Sequence, residues 1–203
     1  MKKITILDYG VGNIFNLLKS LERLKYKVKV SSNSKEIMDS DRLIIPGVGA
    51  FKNGMKNLNK LNLIETIKLY TDTKRPLLGI CLGMQYLMES SEEFGLTDGF
   101  GYIKGNVKKF KKNKLNRIPH MGWSYLNYYN DKIFNNLKNK PSFYFCHSYY
   151  VKPNNKNNIL SETEYSGVTF CSTLKKKNIY GCQFHPERSG KNGEIFLKNF
   201  MNI

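Results

Sequence analysis

Acidic residues are scarce in this chain: 16 aspartates and glutamates stand against 33 lysines and arginines, a formal net charge of +17. That balance raises nucleic-acid binding as a first question, but arginine is scarce as well. Only Arg23, Arg42, Arg75, Arg117 and Arg188 are present, and proteins that read bases lean on arginine's planar fork. The lysines are scattered, with short clusters at Lys108–Lys114 and Lys175–Lys177, and no module interleaves them with aromatic residues. The charge reads as solvated surface, part of which can meet an acidic partner or draw in anionic substrates. Cysteine is limited to Cys81, Cys146, Cys171 and Cys182, with no C-x-x-C pair, so metal-ligand spacing is absent. No stretch approaches the roughly 18 apolar residues of a membrane span. The N-terminal apolar run, Ile4-Thr5-Ile6-Leu7, stops at Asp8, too short for a secretory signal. The expectation is a cytoplasmic protein with free thiols and one domain over residues 1–203.

The first half alternates apolar runs with helical patterns. Strands are predicted at Lys3–Leu7, Tyr26–Val30, Arg42–Ile45 and Pro76–Ile80. Between them, Asn13–Leu24 carries Ile14, Leu17, Leu18 and Leu21 at helical spacing, a helix ends near Met38, and Ala50–Tyr70 is helical with a break at Leu61-Asn62. A further helix is predicted over Leu82–Ser90. This alternation argues for a parallel sheet covered by helices. After about Gly99 short strand-like runs follow at Asn106–Phe110, Ser142–Cys146, Gly167–Cys171 and Ile179–Phe184, before an amphipathic helix at Gly193–Met201. One α/β domain with a mixed or antiparallel extension accounts for the pattern.

The most informative segment is Gly79-Ile80-Cys81-Leu82-Gly83, where an apolar strand runs through Gly-x-Cys-x-Gly into a helix. This is the thiol form of the nucleophile elbow, a turn so crowded that a Cβ at either glycine would collide. It sets Cys81 at a helix N-terminus, where free N–H groups favour the thiolate, and places the N–H of Leu82 to bind an oxyanion. A thiol nucleophile needs a base and a group that orients the base. His185-Pro186-Glu187 supplies both at a strand end. His120 and His147 are the rival bases. His120 is placed in a loop without a nearby acid, and His147, before Ser148-Tyr149, suits a binding or structural role.

Gly79–Gly83 together with His185-Pro186-Glu187 resembles the class I (triad) glutamine amidotransferase domain, and the likeness covers essentially the whole chain. The segments Asp8–Asn13, Pro46–Gly49, Pro119–Trp123, His147–Tyr149 and His185–Ser189 resemble, within that family, a glutaminase subunit that works in a heterodimer with a (β/α)₈-barrel synthase. The resemblance implies a flavodoxin-like α/β fold with a central mixed, mostly parallel sheet flanked by helices. It implies a Cys81–His185–Glu187 triad acting on L-glutamine without metal or organic cofactor. The oxyanion hole would combine Leu82 with the loop Gly47-Val48-Gly49. Gln85, Ser148 and Tyr149 would hold the amino-acid end of glutamine. Asn13, Met121, Trp123 and Arg188 would face the barrel, and ammonia would pass into it. Trp123, the sole tryptophan, is thus read as interface rather than core. Ser148 stands where threonine is common and Arg188 where lysine is, and arginine's fork is not interchangeable with lysine.

The Pro46–Gly49 loop also offers a gate. A peptide plane beside glycine rotates with little steric penalty, and would present either a carbonyl or an N–H to the oxyanion. The competing outcomes are a paralogous subunit serving a surface-sugar amidotransferase and a non-catalytic or nucleic-acid-binding subunit.

Overall fold

A computed structural model of the protein describes residues 2–111 and 117–203; Lys112 and Lys114 of the first lysine cluster lie outside the described residues. The elements are β1 (Ile4–Leu7), α1 (Ile14–Arg23), β2 (Val28–Ser31), α2 (Ser34–Met38), β3 (Arg42–Ile45), α3 (Phe51–Lys60), α4 (Leu63–Asp72), β4 (Leu77–Ile80) and α5 (Leu82–Gln85). They continue as β5 (Met88–Ser91), β6 (Thr97–Asp98), β7 (Ile103–Lys109), β8 (His120–Tyr125), β9 (Asn127–Tyr128), β10 (Ser142–His147), β11 (Tyr149–Pro153), β12 (Ile159–Tyr165), β13 (Val168–Lys176), β14 (Ile179–Cys182) and α6 (Gly190–Asn202).

Eight strands form the central sheet in the order β2-β1-β3-β4-β14-β13-β12-β9. The five from β2 to β14 run parallel, and β13, β12 and β9 continue it antiparallel. The mixed, mostly parallel sheet is therefore as expected. The inner parallel strands β1, β3, β4 and β14 are buried throughout because both faces are covered, whereas the edge strand β2 exposes Lys29. In β3, Ile44 packs with Leu17, Leu21 and Phe200 on one face, while Leu43 and Ile45 pack with Leu58, Leu63 and Ile67 on the other. Fully burying one such side chain stabilises the fold by about 1.5–3 kcal/mol. Truncating Ile44 to alanine would cost about 2–5 kcal/mol.

Two smaller sheets complete the molecule: β11-β7-β5-β6, and the antiparallel pair β8-β10. Both hold elements that the sequence reading placed differently. The helix expected over Leu82–Ser90 is a single turn ending at Gln85. Leu82, Met84, Tyr86, Leu87 and Met88 are all buried, so no amphipathic stripe marks where helix gives way to strand. The carbonyl of Tyr86 instead accepts from the N–H of Phe100 (2.7 Å), and β5 pairs with β6 and β7. Pro119–Trp123, expected as a loop, enters the strand β8, in which His120 and Ser124 turn inward and Met121, Trp123 and Tyr125 outward. The break at Leu61-Asn62 is real, with Asn62 in the left-handed region (φ 54°). The lysine clusters are not uniformly solvated: Lys108 pairs with Glu92 at 3.1 Å, and Lys175 with the largely buried Asp131 at 2.7 Å. Among the described residues no helix is long and apolar enough to cross a membrane.

The strand order reverses between β1 and β3, the point where open α/β sheets form ligand crevices at their carboxyl ends. The loops after β1 and β3 meet there. Tyr9 Oη donates to the Pro46 carbonyl at 2.6 Å, and Asn57 Nδ2 to the Tyr9 carbonyl at 3.1 Å.

Candidate active site

Cys81 follows β4 directly and holds φ 54°, ψ −107°, a backbone conformation costly for a side chain with a Cβ, of order 1–3 kcal/mol. Its neighbours hold it there. The N–H of Cys81 donates to the Cys182 carbonyl at 2.7 Å, and its carbonyl accepts from Met84 (3.1 Å) and Gln85 (3.2 Å). Both flanking glycines are sterically required. A Cβ at Gly79 would lie 2.5 Å from the Gly83 carbonyl oxygen, and one at Gly83 would strike the Ile45 carbonyl. Because α5 is one turn long, its dipole is weaker than a full helix would provide.

The strand beside β4 is β14, and the chain reaches His185 three residues beyond its end. Pro186 opens a 3₁₀ turn over Pro186–Arg188 that folds Glu187 back onto the ring. His185 Nδ1 lies 2.8 Å from Glu187 Oε1, whose side chain is 3% exposed. Ser189 Oγ locks the turn, donating to the His185 carbonyl at 2.6 Å and accepting from the N–H of Tyr144 at 3.0 Å. Burial works against a charge on His185, but the negative charge and hydrogen bond of Cys81, joined by Glu187, outweigh it and hold the ring above its ordinary range. Such a ring can give a proton to a departing amine.

These groups open into a cleft of about 270 Å³, lined also by Val48, Gly49, Leu82, Gln85, Ser148 and Tyr149. All three residues expected to hold glutamine thus reach it. Gln85 Nε2 donates to the Tyr149 carbonyl (3.0 Å) and to Gln183 Oε1 (3.3 Å). Two residues at the site escape the sequence reading: Gln183, buried behind the cleft, and Glu93, in its lining. Gln183 Nε2 sits 3.6 Å from Cys81 Sγ, and Glu93, anchored by the N–H of Phe51 at 2.6 Å, lines the cleft as a carboxylate suited to an α-ammonium group. Gln183 carried a signal: a polar residue between β14 and His185. Glu93 lies three residues past the expected end of a helix that in fact stops at Gln85.

The Gly47–Gly49 loop, expected to complete an oxyanion hole, adopts one of the two orientations considered for it. The N–H of Leu82 donates to the Gly47 carbonyl at 3.4 Å, so a carbonyl, not a second donor, faces the predicted oxyanion position. Gly47 is tightly seated, since a Cβ there would fall 2.7 Å from Leu82 Cβ and 2.9 Å from the nitrogen of Gly83. A Cβ at Gly49 would meet no neighbour, but the residue holds φ +93°.

Of the residues expected at a partner surface, Asn13 and Arg188 border the cleft. Met121 and Trp123 lie beside it on β8, 61% and 57% exposed. Trp123 is therefore not a core residue. Opposite it on β10, Tyr144 packs edge-on to Trp123 (6.2 Å) and under the Arg188 guanidinium (4.2 Å).

A cysteine-bearing elbow, an acid-oriented histidine and a cleft thus meet at the carboxyl edge of a mostly parallel sheet. The model of the glutamine amidotransferase class I family matches residues 5–203, and the chain belongs to that family. Over the full length of both proteins it is 42% identical to imidazole glycerol phosphate synthase subunit HisH 1 of Legionella pneumophila (strain Lens). It is 44% identical to the subunit of the same name from Methanococcus maripaludis, over 98% of this chain and 99% of that one. Its fold is similar to PurLQS from Thermotoga maritima, with a TM-score of 0.75 at 18% identity, covering 100% of this chain and 99% of the other.

Proposed function

We propose that this enzyme is the glutaminase subunit of an imidazole glycerol phosphate synthase, acting in histidine biosynthesis in the cytoplasm as a single domain over residues 1–203. The observation that carries the reading is the Cys81 elbow set against the buried His185–Glu187 pair (2.8 Å) in a glutamine amidotransferase chain. The full-length likeness to the HisH subunits supports the pathway.

The Cys81 sulfur attacks the side-chain amide carbon of glutamine, forming a carbon–sulfur bond and pushing the carbonyl electrons onto oxygen. His185 gives its proton to the amide nitrogen, the carbon–nitrogen bond breaks, and ammonia leaves a γ-glutamyl thioester. The now neutral His185 takes a proton from water as its oxygen attacks the thioester carbon; the carbon–sulfur bond then breaks, the electron pair returns to the Cys81 sulfur, and glutamate leaves. Glu187 keeps the ring oriented and stabilises its charged form throughout. Leu82 and the Gly47–Gly49 loop hold the oxyanion once the loop turns an N–H toward it. Gln85, Ser148 and Tyr149 fix the amino-acid end. Ammonia in water protonates and loses its nucleophilicity. A (β/α)₈-barrel synthase subunit therefore docks over the cleft mouth, on Asn13, Met121, Trp123 and Arg188, and receives it directly.

Cys81→Ser tests this in the assembled complex. Glutamine-dependent turnover should fall by at least about 10⁴-fold, while turnover fed with ammonium salts persists. Equal loss of both would overturn the division of labour. Affinity capture should recover the barrel synthase; a sugar-modifying synthetase in its place would assign the same chemistry to another pathway.

A further inference from the structure

The cleft holds a second histidine, His147, that the mechanism above does not use. On β10 it is the cross-strand neighbour of His120 on β8. His120 Nδ1 and His147 Nε2 are 3.1 Å apart, His147 Nδ1 lies 2.8 Å from the Tyr149 carbonyl oxygen, and His120 Nε2 lies 2.9 Å from Ser124 Oγ. Both rings are buried, at 1% and 6% exposure. The walls around them are aromatic: Phe145 and Tyr165 stack on His120 at 4.8 and 3.9 Å, and Phe110 and Phe170 pack on His147 at 5.4 and 5.2 Å.

These contacts fix the protons. A carbonyl only accepts, so His147 Nδ1 carries a hydrogen. Burial pushes both rings down, His147 to about 3 and His120 to about 4, so each is neutral at pH 7. The Nε2 of neutral His147 must then accept, and His120 Nδ1 must donate to it. His120 Nε2 is left as an acceptor for the Ser124 hydroxyl. The chain ends on the Tyr149 carbonyl, which also receives Gln85 Nε2 at 3.0 Å.

We propose that His120 and His147 are positioning residues for glutamine: a one-directional hydrogen-bond chain from Ser124 through both rings to the Tyr149 carbonyl sets the Gln85–Tyr149 subsite and ties it to β8. The proposal rests on the reading of Gln85, Ser148 and Tyr149 as the glutamine subsite. Its other end is the strand whose outward residues, Met121 and Trp123, form the exposed face beside the cleft. A partner that moves β8 moves His120 and Ser124 with it. The chain thus gives docking a direct path to substrate affinity.

The test uses the complex with its barrel partner, with histidine ring nitrogens labelled with ¹⁵N. At neutral pH both His120 and His147 should resonate as neutral Nδ1–H tautomers. His120→Leu, which keeps bulk and removes both bonds, should raise KM for glutamine about tenfold with kcat changed less than about threefold. His120→Asn, whose amide can donate from the Nδ1 position, should return KM to within about threefold of the parent. An Nε2–H tautomer or imidazolium on either ring, an unchanged KM in His120→Leu, or equal KM values for the Leu and Asn variants would overturn the proposal. If His120→Leu does not fold, Ser124→Ala and the tautomers decide, with KM expected to rise about twofold and no rise counting against the chain. A parent complex that released no glutamate would sink the functional reading, while the tautomers would still report on the chain.

Discussion

The cleft has two walls, and they treat the same residue type in opposite ways. One is built on the ends of the parallel strands β4 and β14 and carries Cys81, His185 and Glu187; the other is built on β8, β10 and β11 and carries His120, His147 and Tyr149. Burial disfavours a charged imidazole on both. On the second wall the bond from His147 to the Tyr149 carbonyl opposes it too weakly, and His147 falls to about 3 and His120 to about 4. On the first, the Cys81 sulfur and Glu187 reverse the sign and His185 rises. The lesson is about division of labour. Proton transfer belongs where a sulfur and a carboxylate together hold the ring charged, and orientation belongs where rings stay neutral and their hydrogen bonds keep a fixed direction.

The most drastic way to break this comparison is to remove the charged ring. His185→Ala should lower glutamine-dependent turnover to within about tenfold of the Cys81→Ser loss, since nucleophile and base act as one unit. Glu187→Ala should be about a hundredfold less damaging, because packing and the Ser189 lock still hold part of the ring's orientation. Steady-state glutamate release measures both. A fully active His185→Ala enzyme would move the base to the neutral wall and erase the distinction.

The next largest effect lies in the loop between the walls. With the Gly47 carbonyl accepting from the Leu82 N–H at 3.4 Å, the proposed nucleophile and base stand beside a proposed oxyanion hole that lacks its second donor. Losing one such donor costs about 2.7–4 kcal/mol, about a hundred- to thousandfold in rate. Glutamate release should therefore be slow for the isolated subunit, and should rise by about that factor with partner and acceptor ligand bound. Equal rates alone, with partner, and with partner plus ligand would mean a constitutive glutaminase.

On the second wall the effects should be on binding. Trp123→Ala removes an exposed aromatic anchor from β8 without touching the triad. It should weaken partner binding by about 2 kcal/mol, about thirtyfold in Kd by calorimetry, and leave the melting temperature of the free subunit within a few degrees. An unchanged Kd would place the docking surface elsewhere.

The two walls also differ in how much of them could be read beforehand. The parallel half announces itself, since strands such as Leu43-Ile44-Ile45 are apolar throughout and alternate with amphipathic helices. Its chemistry sits at fixed local spacing in Gly79–Gly83 and His185–Glu187. The antiparallel wall hides both. In β8 the inward residues are His120 and Ser124, polar groups that bond to His147, 27 positions away, and to each other. The outward ones are Met121 and Trp123, so the usual alternation of apolar-in and polar-out is inverted and Gly122 makes it look like a loop. Glu93 was lost for a related reason, because the buried run through Met88 reads as helix until Phe100 and β7 claim its backbone.

The smallest effect, and the most discriminating, is in stability against pH. The chain has three histidines, so between pH 6.5 and about 5 these rings dominate side-chain titration. His185, raised in the folded protein, is protonated in both states below 6.5, so its contribution is already fully present and adds no slope there. His120 and His147 do the opposite. Once unfolded they take up protons near 6.5, whereas folded they refuse them down to about 4 and about 3. The unfolded state therefore binds more protons across this window, and stability must fall as pH falls, by at most about 1.4 kcal/mol per ring per pH unit. For a chain of this size each kcal/mol moves the melting temperature by about 2–4 °C. Scanning calorimetry from pH 6.5 to 5 should show a decline of several degrees, and His120→Phe, which keeps the aromatic packing, should roughly halve its slope. A flat profile in the parent would mean that the second wall carries charge after all, and the contrast between the two histidine environments would not stand.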